Sequence, residues 1–90
     1  MIKIYRLNEY EWYAGETLEE CVKFAIDMTG LDEEDVLDGP LEIIEPLTQE
    51  QMDKTIFIDE DGTKITFAER LQNLIDNGEE FPQFFATTEW

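Results

Sequence analysis

Polar and apolar residues alternate at the start of the chain. Ile2, Ile4 and Arg6 fall on one side and Lys3, Tyr5 and Leu7 on the other, which predicts a strand. Residues 11–14 extend it or return beside it as a second short strand. Thr17-Leu18-Glu19-Glu20 then has the form of a capping box. The threonine hydroxyl can accept from the amide three residues on, and the glutamate can reach back to the amide of Thr17. A helix is expected from there to about Thr29, with Leu18, Cys21, Val22, Ala25 and Met28 or Thr29 at helical spacing. Gly30 ends it in the left-handed conformation.

Asp32 to Leu37 predicts a short acidic helical turn, broken by Asp38-Gly39-Pro40. Leu41 to Leu47 fits neither period, and Pro46 stops any regular element there. Thr48-Gln49-Glu50-Gln51 is a second capping box, opening a short helix to about Lys54. Thr55-Ile56-Phe57-Ile58 has strand composition. Glu60-Asp61-Gly62 forms a turn and residues 63–65 the returning arm of a hairpin. Thr66-Phe67-Ala68-Glu69 is a third capping box, and Phe67, Leu71, Leu74 and Ile75 follow as an apolar stripe. Asn77-Gly78 closes that helix, and Phe81-Pro82 leads into a last strand over residues 83–88. This irregular mixture, with a tight hairpin, predicts an α+β fold: a small, mostly antiparallel sheet with two main helices on one face. Length alone gives one acidic domain over residues 1–90, with a modest core.

Charge changes the picture. The 90 residues carry 23 acids and 6 bases, a formal net charge of −17. Hydrophobic residues make up 42% and aromatics 12%, enough for a packed interior, which sets the chain apart from a disordered acidic tail. The charge is uneven: residues 31–62 hold twelve acids against Lys54 alone, net −11. A duplex or an anionic membrane repels such a surface and a basic protein attracts it, so neither nucleic acid nor membrane is expected as a direct partner. Cys21, the one cysteine, cannot form an intramolecular disulfide, in keeping with a reducing compartment. No apolar run approaches the ~18–20 residues that span a bilayer, and Met1-Ile2-Lys3-Ile4-Tyr5 lacks the layout of a signal peptide. A cytoplasmic location is expected.

The chemistry-bearing inventory is thin. With no histidine and no serine, Ser–His and Cys–His nucleophile systems are excluded, and so are histidine zinc sites. The glycines are scattered and form no phosphate loop. Asp59-Glu60-Asp61-Gly62 invites a calcium reading. Aligning Gly62 with the glycine of an EF-hand loop puts Phe57 and Ala68 at two essential ligand positions, so the motif fails and a hairpin turn remains. Neither catalysis nor a cofactor or metal is expected. Cys21, on the apolar side of its helix, reads as a small buried hydrophobe. Tyr5, Phe24, Phe57 and Phe67 read as core. Trp12, Tyr13 and Trp90 are the aromatics expected as exposed anchors among carboxylates.

What is left is a surface. A compact 90-residue chain is roughly 30 Å across. Seventeen charges over that span match the duplex, with one charge per ~1.7 Å of axis. The acids expected to carry recognition are Asp32, Glu33, Glu34, Asp35, Asp38 and Glu42, with Asp59, Glu60 and Asp61 as a second patch. In size and charge the chain resembles small acidic phage- and prophage-encoded inhibitors, anti-CRISPR proteins and other DNA mimics among them. The segments that carry the likeness are residues 31–36 and 81–89. It extends to no defining motif and transfers no functional residue. What it implies is an inhibitor, monomeric or dimeric, that occupies the basic channel of a host nuclease or other nucleic-acid-binding protein. Two other readings stay open. One is an adaptor or small subunit that binds through exposed aromatics and a strand edge, its acids serving solubility. The other is a protein acidified for brine.

Overall fold

In a computed structural model, which describes residues 1–8, 10–37, 44–59 and 61–87, the opening alternation becomes strand β1 (Lys3–Arg6) and returns as β2 (Glu11–Gly15). Asn8 holds the turn: its Oδ1 accepts from the Tyr10 amide at 2.9 Å. The two strands are antiparallel, with Ile4 opposite Ala14 and Tyr5 opposite Tyr13. On the other side of β2 lies β5 (Gln83–Thr87), also antiparallel, giving the order β1-β2-β5. The register shifts between Trp12, opposite Ala86, and Tyr13, opposite Phe84, so Phe85 is the extra residue of a bulge.

Helix α1 (Leu18–Thr29) packs Cys21, Val22 and Ala25 with Tyr5, Leu7, Tyr13 and Val36 into one core cluster. Ile4, Ala14 and Phe85 are fully buried as well, so neighbouring positions along the strands are both inaccessible. The Thr17 hydroxyl caps α1, accepting from the Glu20 amide at 3.2 Å. The Glu20 carboxylate reaches one residue beyond the expected partner, to the Glu16 amide at 2.7 Å. Gly30 closes the helix at φ 74°, its amide donating to the Ile26 carbonyl at 2.8 Å. A single turn, α2 (Glu33–Val36), follows and buries Val36. The proposed break at residues 38–40 and the Leu41–Ile43 stretch lie outside the described residues; residues 44–47 have no regular structure.

Helix α3 (Gln49–Lys54) begins with a complete capping box. Thr48 Oγ1 accepts from the Gln51 amide at 3.1 Å, and Gln51 Oε1 accepts from the Thr48 amide at 2.8 Å. Strands β3 (Ile56–Ile58) and β4 (Lys64–Thr66) form the expected antiparallel hairpin, with Phe57 opposite Ile65. Helix α4 (Phe67–Asp76) starts at Thr66, whose Oγ1 accepts from the Glu69 amide at 3.1 Å and donates to the Glu69 carboxylate at 3.2 Å. Phe67 and Leu71 are buried, Leu74 is half-buried and Ile75 is exposed, so the apolar stripe opens to water at its last turn.

The class is α+β with antiparallel sheets. The strands form two sheets where one was expected, and each main helix accompanies its own: α1 packs with β2 and β5, α4 with β3 and β4. The reason is local. β3 and β4 are joined by a tight turn and pair with each other. By contacts the chain groups into two units, Met1–Pro46 with Phe81–Trp90, and Leu47–Glu80.

Candidate functional site

In the first unit the acid run is presented by α2. Asp32 stands at the N-cap without a side-chain capping bond, and Glu33, Glu34 and Asp35 form the first turn. All four are exposed and make no ion pair or side-chain hydrogen bond among the described residues. Beneath them the turn is fastened. Val36 is 3% exposed within the core cluster, and its carbonyl accepts from Asn8 Nδ2 at 2.9 Å. The same Asn8 amide donates to Glu11 Oε1 at 3.1 Å, tying α2 to the β1–β2 turn. Four carboxylates thus sit on a helix only one turn long whose reverse side is anchored.

Between α1 and α2 lies a groove of about 220 Å³, lined by Glu19, Val22, Lys23, Ile26 and Glu33. Val22 is buried, Ile26 half-buried, and the charged residues are exposed. Sequence reasoning missed this feature. Its signal was present in Ile26, one helical turn beyond Val22, which the stripe read from the sequence left out.

The second acidic patch belongs to the second unit. Asp59 and Asp61 are exposed at the β3–β4 turn, where the Asp59 amide donates to the Thr63 carbonyl at 2.8 Å. Asp61 Oδ1 accepts from the Thr63 amide at 2.9 Å, and this bond holds the Asp61 carboxyl below its usual range. Its carboxylate therefore shapes the hairpin as well as charging it. Arg70 lies over the Phe57 ring at 4.0 Å; burial lowers its pKa while the Asp59 charge acts the other way. Asp38, Glu42, Glu60 and Trp90 lie outside the described residues.

The aromatic expectation needs one correction. Tyr13 is fully buried and offers no exposed anchor. Successive strand residues point to opposite faces, and Tyr13 takes the one covered by α1. Its ring makes edge contacts with Phe24 at 6.2 Å and Phe84 at 5.5 Å. The phenol finds no hydrogen-bond partner. Burial first, and then the nearby Glu11 charge, push it up to about 12. Trp12 is half-buried, with the Arg6 guanidinium 5.2 Å from its ring centre. Phe24 and Phe57 are half-buried, and Tyr5 and Phe67 are buried.

Cys21 is fully buried, and burial followed by the Glu20 charge pushes its thiol up to about 12. It is therefore a neutral thiol near neutral pH and a poor nucleophile. Among the described residues no group of three or more acids or cysteines is placed to hold a metal ion, and no helix is long and apolar enough to cross a membrane. Comparison with known protein families, with curated proteins and with solved structures gives no match.

Proposed function

We propose that this protein acts by binding, and that its partner is a basic protein surface of the kind that handles nucleic acid, which it occupies as a DNA mimic. One observation carries the reading: the carboxylates of residues 32–35 are exposed on a turn whose reverse side is fixed by Val36 and Asn8. Phosphates on a duplex are likewise dense negative charges on a frame that cannot move away. Preorganised charge loses little entropy on binding, and the field of a chain at −17 speeds encounter with a cationic groove.

The test is capture from a nuclease-treated cell lysate at low salt, followed by a salt gradient. Release of a nucleic-acid-handling protein at moderate salt, and its displacement by duplex DNA, is the expected result. Retention beyond ~1 M salt, indifferent to DNA, overturns the reading, because screening at that strength leaves little charge attraction. With a target in hand, the triple variant Glu33→Gln, Glu34→Gln, Asp35→Asn should bind about tenfold more weakly at low salt, three exposed pairs being worth roughly 0.5 kcal/mol each. Its salt dependence should also be shallower.

A second reading, an adaptor that binds through a strand edge, draws support from β3. Ile56 and Ile58 are 52% and 37% exposed on a two-stranded sheet. Burial of Tyr13 weakens its aromatic part.

A further inference from the structure

The groove between α1 and α2 is more than a charged face requires. Val22 belongs to the core cluster and Ile26 packs against it, so between Glu19 and Glu33 the edge of the core is left open to solvent. Its volume of about 220 Å³ is below the ~300–1,000 Å³ of small-molecule sites and suits a single branched side chain. Its surroundings restrict what can enter. The unit that bears it holds fourteen acids against Lys3, Arg6 and Lys23, and Glu33 of the rim stands in sequence among Asp32, Glu34 and Asp35. An acidic or neutral apolar segment meets repulsion or gains nothing from the rim, whereas a cationic one is drawn in. Lys23, one helical turn beyond Glu19, lies on the same flank and offsets part of its charge. That disfavours an unbroken run of arginines and favours cations set apart by an uncharged side chain.

We infer that this groove docks one aliphatic side chain of a cationic protein segment, with flanking arginine or lysine residues reaching Glu19 and Glu33. The inference rests on the reading of a basic protein partner and adds a component that no phosphate backbone offers: apolar contact that survives salt.

The test uses the full chain and fluorescence anisotropy. The probe is a short alanine-based helical peptide with one leucine and an arginine four residues to either side; its control has serine in place of leucine. The leucine peptide should bind about tenfold more tightly, as burial of one such side chain requires. Ile26→Gln, which makes the floor polar, should abolish that preference. Ile26→Trp, which fills the groove and keeps it apolar, should do the same, with circular dichroism melts confirming that both variants are folded. Equal binding of the two peptides, or a preference that persists in both variants, overturns the inference. A leucine preference without salt dependence overturns the part given to Glu19 and Glu33, and the charge-led reading with it. Steep salt dependence without a leucine preference overturns the groove and leaves that reading standing.

Discussion

A Cβ placed on Gly15 would stand 2.6 Å from Cys21 Sγ, 2.9 Å from Glu20 Oε1 and 3.2 Å from Pro82 Cβ. Cys21 is fully buried and cannot retreat, and the Glu20 carboxylate is engaged with the Glu16 amide. Gly15→Ala should therefore cost roughly 1–3 kcal/mol by overpacking, read as a lower urea midpoint at unchanged slope. Tyr13 poses the opposite case. Its hydroxyl is buried without a partner, so Tyr13→Phe should stabilise the fold by about 1 kcal/mol at neutral pH. The same residue sets an alkaline limit. A phenol raised from 10.0 to about 12 on folding contributes stability that is fully present below pH 10 and is lost as pH rises through 12, because the unfolded chain gives up its proton first. Cys21, raised from 9.0 to about 12, adds to the loss from pH 9 upward. Urea titrations at pH 8 and pH 11 should show Tyr13→Phe losing less stability than the native chain; equal losses would mean that Tyr13 does not titrate in this window.

Helices α1, α3 and α4 owe their starts to three threonines, and these were legible before any coordinates. Thr17, Thr48 and Thr66 each accept from the amide three residues on. The reciprocal half was less legible. Gln51 returns to Thr48, Glu20 overshoots to Glu16, and Glu69 takes the Thr66 hydroxyl. Sequence spacing places an oxygen near the helix start but does not choose its donor. Thr66→Ala should cost about 1 kcal/mol and Thr66→Ser much less, measured as urea midpoints, since serine keeps the capping oxygen. Strand faces were harder to read. Alternation in β1 put apolar residues on both sides and did not say which side faced out; Ile4 and Tyr5 are both buried. The same blind spot placed Tyr13 in solvent. Burial of a strand residue depends on what packs above it, and neither the bulge nor the position of α1 is written in local pattern. The α1–α2 groove escaped for a related reason: it is made by two elements, and Ile26 became meaningful once α2 lay beside it.

For the whole molecule, the sum of charge was readable from composition and its arrangement was not. Residues 32–35 and the pair Asp59 and Asp61 belong to different compact units, and charge counted along the chain cannot tell them apart. A net −17 on 90 residues repels itself. Raising sodium chloride from ~10 mM to ~500 mM shortens the screening length from ~30 Å to a few Å. Tm by circular dichroism should rise by roughly 4–8 °C, the equivalent of about 1 kcal/mol for a chain this size. A chain folded only at high salt would favour the brine reading, and a Tm indifferent to salt would show that self-repulsion does not limit stability. The order of the first sheet has a separate consequence. β2 lies between β1, its neighbour in sequence, and β5, which lies beyond the whole second unit. During translation the chain emerges N-terminus first, so one edge of β2 stays unpaired until residues 83–87 have left the ribosome. A nascent chain therefore carries an open strand edge at least until residues 16–82 have been made and β5 has cleared the exit tunnel.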